Sequence, residues 1–124
     1  MVAGVTRGPD TTSVDSLPID VELISDSTNA ALRMELSTST REAIDTRTTV
    51  IIGQLNLLLG EELGADDDPE VKGVFRKAHQ LLDLSSRPTR QTPSFSAFFY
   101  MRDVASLTRR LLWVYAERTG TDVA

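Results

Sequence analysis

Apolar and polar positions segregate at a helical period along most of this chain, and residues 69–84 show the cleanest pattern. Val71, Val74, Phe75, Ala78, Leu81 and Leu82 recur three and four apart, with Lys72, Arg76, Lys77, Gln80 and Asp83 on the opposite side. Such spacing puts one face of a helix in a core and the other in water. Asp68, Pro69 and Glu70 supply its start. They provide a capping side chain, a proline whose missing N–H has no intrahelical partner there, and a negative charge in the first turn.

The same period predicts three more helices. Residues 40–63 carry a main stripe of Ile44, Ile51, Ile52, Leu55, Leu58 and Leu59, and a second seam of Ala43, Val50 and Leu57, seven apart. A helix that is apolar on more than one side is usually central in its fold. Ser39 and Glu42 have capping-box spacing at its start, and Gly64 is placed to stop it. The β-branched Thr46, Thr48 and Thr49 suggest a strand, but the long period around them outweighs that signal. Gly53 costs about 1 kcal/mol relative to alanine inside a helix, and close approach of a neighbouring helix is the natural reason for it.

The first helix is expected to start near Pro18, with Ile19, Leu23, Ile24, Ala30, Ala31 and Met34 on one stripe. Its centre, residues 25–29, is polar and weakly helix-forming, open to a break near Ser27. Residues 1–17 are rich in Gly, Thr, Ser and Asp, show no useful apolar period, and are expected to form a disordered tail. Short turns and a polar linker with two prolines, residues 85–93, join the helices. Together these elements predict an all-α fold over residues 18–120. It is a small, mostly antiparallel bundle of three long helices, with a shorter N-terminal helix as a flap across them.

The last helix, residues 95–119, departs from the simple pattern. Met101, Val104, Ala105, Leu107, Leu111, Leu112, Val114 and Tyr115 fall on one broad apolar arc. Phe99, Arg102, Ser106, Arg109, Arg110 and Trp113 fall on the other side, where a solvated helix is ordinarily plain polar. Phe99, Arg102, Arg109, Arg110 and Trp113 are therefore the candidate interaction surface, and Arg87 and Arg90 in the linker could extend it. Arg109 with Trp113, and Arg102 with Phe99, are spaced to stack as cation–π pairs, worth roughly 0.5–1 kcal/mol each if exposed. Two arrangements account for the mixture. In one, the aromatics tuck beneath the N-terminal segment and the arginines reach past it to water. In the other, the face stays open for a protein partner or for a second copy in a homodimer.

Composition then limits the chemistry. A chain of 124 residues is the size of one domain, and without cysteine it has no disulfide, thiolate metal site or cysteine nucleophile. No stretch approaches the roughly 18 consecutive apolar residues of a membrane span, and the N-terminus lacks the basic and apolar blocks of a secretory signal. The expectation is a cytoplasmic protein with no membrane association. The net charge of −5 is unevenly spread: residues 1–70 hold fourteen acids and four bases, residues 71–124 nine bases and four acids. The halves would attract each other in a packed bundle, or the basic half would face an acidic partner. The total charge argues against strong nonspecific nucleic-acid binding, which leaves a nucleic-acid-associated regulator using Arg87, Arg90, Arg102, Arg109 and Arg110 as the lesser alternative.

Candidate catalytic groups are sparse. His79 is the only histidine, it borders an apolar stripe, and Arg76 stands where a Glu-x-x-His pair would need its glutamate. Asp66, Asp67, Asp68 and Glu70 lack the spacing of an EF-hand loop. Glu61 and Glu62 are adjacent and so diverge around the helix. There is no Gly-x-Ser-x-Gly elbow and no phosphate-cradling glycine loop. No catalytic residue, metal or cofactor is expected. The reading leans away from an enzyme and toward a non-catalytic interaction or regulatory protein, with a small-ligand-binding bundle as a further alternative.

The run Ile52-Gly53-Gln54-Leu55-Asn56-Leu57-Leu58-Leu59-Gly60-Glu61-Glu62 resembles the hallmark of an actinobacterial family of uncharacterised small helical proteins associated with natural-product biosynthesis. That pattern is approximately Leu-Arg-Gly-His-(Leu/Ile)-x-Leu-Leu-x-Pro-Glu. Gly53, Leu55, Leu57, Leu58 and Glu61 match it, while Gln54 replaces the histidine and Gly60 the proline. Ala78 to Asp83, Thr108 to Leu112 and the Pro18-Ile19-Asp20 start are similar to its other segments. The resemblance covers about residues 18–119 and implies an accessory, non-catalytic role in natural-product biosynthesis. It transfers no catalytic residue, and Gln54 puts in doubt any chemical role of the family histidine here.

Overall fold

Asp20 opens the first helix of the computed structural model, which describes residues 19–121. Its carboxylate accepts the Leu23 N–H at 3.0 Å, and α1 runs Val21–Arg33. A single 3-10 turn, Leu36–Thr38, leads to α2, Arg41–Leu59. α3 spans Pro69–Leu82, and after a second 3-10 turn, Leu84–Ser86, α4 spans Ser94–Thr119. The described residues contain these four α-helices and no strand, so the fold is all-α, a small helical bundle. The expected helix start at Pro18 and the tail at 1–17 lie outside the described residues.

α4 is the central helix and packs against each of the other three. Its Met101, Val104, Ala105, Leu111 and Leu112 are completely buried, in one cluster with Ile44, Ile51, Leu55 and Leu58 of α2. α1 lies along α4 in the opposite chain direction, since Asn29 bonds Arg109 while Leu32 bonds Arg102.

α2 also packs against each of the other three helices, but not through the second apolar seam that its pattern predicted. Ala43, Val50 and Leu57 face solvent, and a Cβ added at Gly53 would meet nothing within 4 Å. Gly53 therefore marks no close helix approach. The helix is capped by Thr40, whose hydroxyl accepts the Ala43 N–H at 3.0 Å. Ser39, the expected cap, instead donates to the Glu35 carbonyl at 2.6 Å. α2 also ends earlier than expected, at Leu59, where the Gly60 N–H bonds the Leu57 carbonyl at 3.2 Å. Gly64 serves the following loop, not the helix end. It sits at φ +85°, and a Cβ there would come within 2.9 Å of Arg118 Nη1.

α1 departs most from its expected stripe. Leu23 is exposed, while Ser25, Ser27 and Thr28 are buried beside Ile24 and Ala31. No break occurs at Ser27. The Thr28 hydroxyl donates back to the Ile24 and Ser25 carbonyls at 3.0 and 3.1 Å, which lets a polar side chain lie inside without an orphaned donor. α3 stops at Leu82, two residues short of the expected end, because Asp83 turns to accept the Ser85 N–H at 2.9 Å.

Candidate interaction surface on the last helix

The inner arc of α4 matches its apolar pattern, with Leu107 and Tyr115 also buried and Val114 half-buried. The outer arc is where the two sequence-based alternatives part. Phe99 is 56% exposed and Trp113 52%, so neither tucks beneath α1. A third aromatic joins them: Phe95, 55% exposed, one turn before Phe99. Sequence reasoning missed Phe95 because it sits at the helix start, although its four-residue spacing from Phe99 is the signal for a shared face.

It is the arginines, not the aromatics, that reach α1. Arg102 Nη1 donates to the Leu32 carbonyl at 2.9 Å, one of the last-turn carbonyls of α1 that lack an intrahelical partner. Arg109 Nη1 donates to Asn29 Oδ1 at 2.6 Å. On the other flank, Arg110 Nη2 pairs with Glu70 Oε2 of α3 at 3.0 Å, both side chains being largely exposed. The guanidinium of Arg102 lies 5.9 Å over the ring of Phe98, the buried neighbour of Phe99. The expected stacks of Arg109 on Trp113 and Arg102 on Phe99 are thus replaced by bonds to α1, where directional acceptors outcompete an exposed ring face. Phe99 itself meets Phe98 edge-on, with centroids 5.6 Å apart.

The resulting outer face of α4 is an open ridge. Phe99, Asp103, Ser106, Arg110 and Trp113 follow one another at intervals of four, three, four and three residues, all exposed. Arg102 and Arg109 line its α1 side, and Glu70 its α3 side. Arg87 and Arg90 do not extend this ridge. They line a separate cleft of about 480 Å³ against α2, with Arg41, Asp45, Thr48, Thr49 and Ile52. Most of that cleft's positive charge is already engaged. Arg41 pairs with Asp45 at 2.9 Å and donates to the Thr89 carbonyl at 2.7 Å and to the Thr92 carbonyl. Arg87 Nε donates to the Leu82 carbonyl at 3.0 Å. The bonds of Arg41 to Thr89 and Thr92 clasp the linker to α2, and that of Arg87 ties it to the end of α3.

Shifted ionisations are few and structural. Burial holds the Tyr100 and Tyr115 hydroxyls above the ordinary tyrosine value, with Glu61 adding to the effect at Tyr115 and Arg87 opposing it at Tyr100. The Tyr100 hydroxyl donates to the Leu81 carbonyl and so fastens α3 to α4. Bonds from the Ser85 hydroxyl and N–H lower Asp83. His79 is exposed, and Asp68 is the cap of α3, accepting the Glu70 N–H at 2.9 Å. Among the described residues no group of three or more His, Cys, Asp or Glu could hold a metal ion, and no helix is long and apolar enough to cross a membrane.

No protein-family model, curated protein or solved structure matches this chain. At the position where the resembled pattern has histidine, Gln54 is buried between α2 and α1. Its Nε2 donates to Ser27 Oγ at 3.0 Å, and its Oε1 has no partner.

Proposed function

We propose that this protein is a non-catalytic helical interaction protein that docks a partner on the outer face of α4. One observation carries the reading: Phe95, Phe99 and Trp113 are each more than half exposed on one ridge, with Arg110 among them. Aromatic and arginine side chains are the types most enriched at protein interfaces, and a ridge of three large rings costs solubility unless something covers it. A role as an accessory protein in natural-product biosynthesis rests on the resemblance of residues 52–62 and the matching segments. The bonds of Arg102 and Arg109 within the chain weigh against nucleic-acid binding, since both guanidiniums are turned onto α1.

A photo-crosslinking residue placed singly at Phe95, Phe99 or Trp113 in the full chain, expressed in its native cells, tests the reading. Adducts are expected at these positions and not at Lys77, an exposed control on α3. The absence of any adduct at all three ridge positions would sink the proposal.

A further inference from the structure

We propose that the occupant of the α4 ridge is a second copy of this chain, packed antiparallel about a two-fold axis at Ser106. The inference rests on the interaction reading above and names its partner. Its basis is the symmetry of the exposed residues around Ser106. Phe99 lies seven residues before it and Trp113 seven after it, about 21 Å apart along the helix at 1.5 Å per residue. An antiparallel second copy centred there sets Phe99 against the partner's Trp113 and Trp113 against the partner's Phe99. The two ends of the seam close with the same aromatic pair.

The charges are self-complementary in the same register. Asp103 lies three residues before Ser106 and Arg110 four after it, so each Asp103 stands within one residue, about 1.5 Å of rise, of level with the partner's Arg110, within reach of its long side chain. Asp103 is exposed and has no bond or ion pair among the described residues. Arg110 has only the exposed Glu70, a pairing of small energetic weight. Arg102 and Arg109, which would otherwise crowd the seam with like charge, are turned aside onto α1. Ser106 at the centre is small enough for the helices to approach. The alternation of four- and three-residue steps is the spacing by which two helices interlock side chains along a seam. Such an interface is isologous and closes at two copies.

Its size sets the expected strength. An exposed stripe from Phe95 to Glu117 is about 33 Å long and about 12 Å wide, on the order of 400 Å² per copy. That lies at the small end of specific interfaces, where association is weak and reversible.

Sedimentation equilibrium of the full chain from roughly 5 to 500 μM reads the outcome directly. A concentration-dependent monomer–dimer equilibrium is expected. F99S and W113S should each weaken it about tenfold or more, with helical content unchanged because both residues are exposed. D103R and R110D should each weaken it, and D103R/R110D should restore it, because the cross-copy pairs re-form with polarity reversed. A dimer insensitive to F99S and W113S, or a double variant no tighter than either charge variant, overturns the inference. So does a monomer at every concentration. A monomer whose residue 99 crosslinks a different protein in cells removes the second copy as occupant while leaving the docking reading in place. A monomer with no crosslink at the ridge removes both.

Discussion

The two main neighbours of α4, α2 and α1, hold it by different chemistry. Against α2 the seam is mainly apolar, with Ile44, Ile51, Leu55 and Leu58 in one cluster with the fully buried arc of α4, and the buried Thr48 and Thr108 hydroxyls donate to carbonyls of their own helices. α1 adds Val21, Ile24 and Ala31 to the core but also buries Ser25, Ser27 and Thr28. It is further held by Gln54 on Ser27, Arg109 on Asn29 and Arg102 on Leu32. An apolar seam gains with every methylene removed from water, whereas a polar seat holds only while each donor finds its acceptor. The first is tolerant of geometry and the second is not. The difference also explains the open ridge: the long arginines of α4 are spent on the polar seat, which leaves the aromatics between them uncovered.

The largest test of this contrast is in the apolar seam. Leu55→Ala should cost about 2–5 kcal/mol of global stability in urea unfolding, through lost transfer energy and a cavity. A cost below about 1 kcal/mol would mean that the seam is not the main stabilising element. Next comes the polar seat. Ser27→Ala should cost about 1–3 kcal/mol, because it strands the Gln54 amide beside an oxygen that already lacks a partner. Combining Ser27→Ala with Gln54→Met should return most of that loss. If the double variant is as unstable as the single, the orphaned amide is not the cause.

Arg109→Ala should cost about 1–2 kcal/mol, since the bond to Asn29 is charge-assisted but half-exposed. Hydrogen exchange should quicken in residues 21–33 and stay unchanged in α2. Equal acceleration in both helices would erase the distinction between the two seams. The smallest effect is alkaline. The chain has two tyrosines, both on the inner side of α4 and both held above the ordinary value of 10.0 by burial. The unfolded chain therefore releases these protons first, and stability should fall as pH rises from 10 toward the folded values. Absorbance at 295 nm should place both ionisations above those of the urea-unfolded chain, and coincident curves would contradict the burial of the rings.

Legibility followed the segregation of side-chain types. α3 and the inner arc of α4 were readable because their buried residues are apolar and recur at the helical period. α1 was misread because its buried face is half serine and threonine, which periodicity scores as solvent. The seam of Ala43, Val50 and Leu57 was misread for the opposite reason: it is periodic and apolar, yet it stays exposed among the described residues. In the candidate surface, Phe99, Trp113 and the three arginines were found from their odd placement on a helix back. Whether the aromatics or the arginines reach α1 was left open, because which of two long side chains turns inward depends on the acceptors that α1 brings within reach.

By itself, the sequence determined that this protein is an all-α bundle, where its helices lie to within a few residues, and which arc of α4 enters the core. Those properties follow from local period, caps and composition. Tertiary structure alone decided that α4 packs more extensively than α2, that polar residues seat α1, and that Arg102 and Arg109 turn to α1 while Phe95, Phe99 and Trp113 stay in solvent. These outcomes depend on carbonyls and side chains some seventy or eighty residues distant in the chain, as Arg102 to Leu32 and Arg109 to Asn29 show. No local pattern encodes such a partner, because a hydrogen bond is chosen by distance and direction in space.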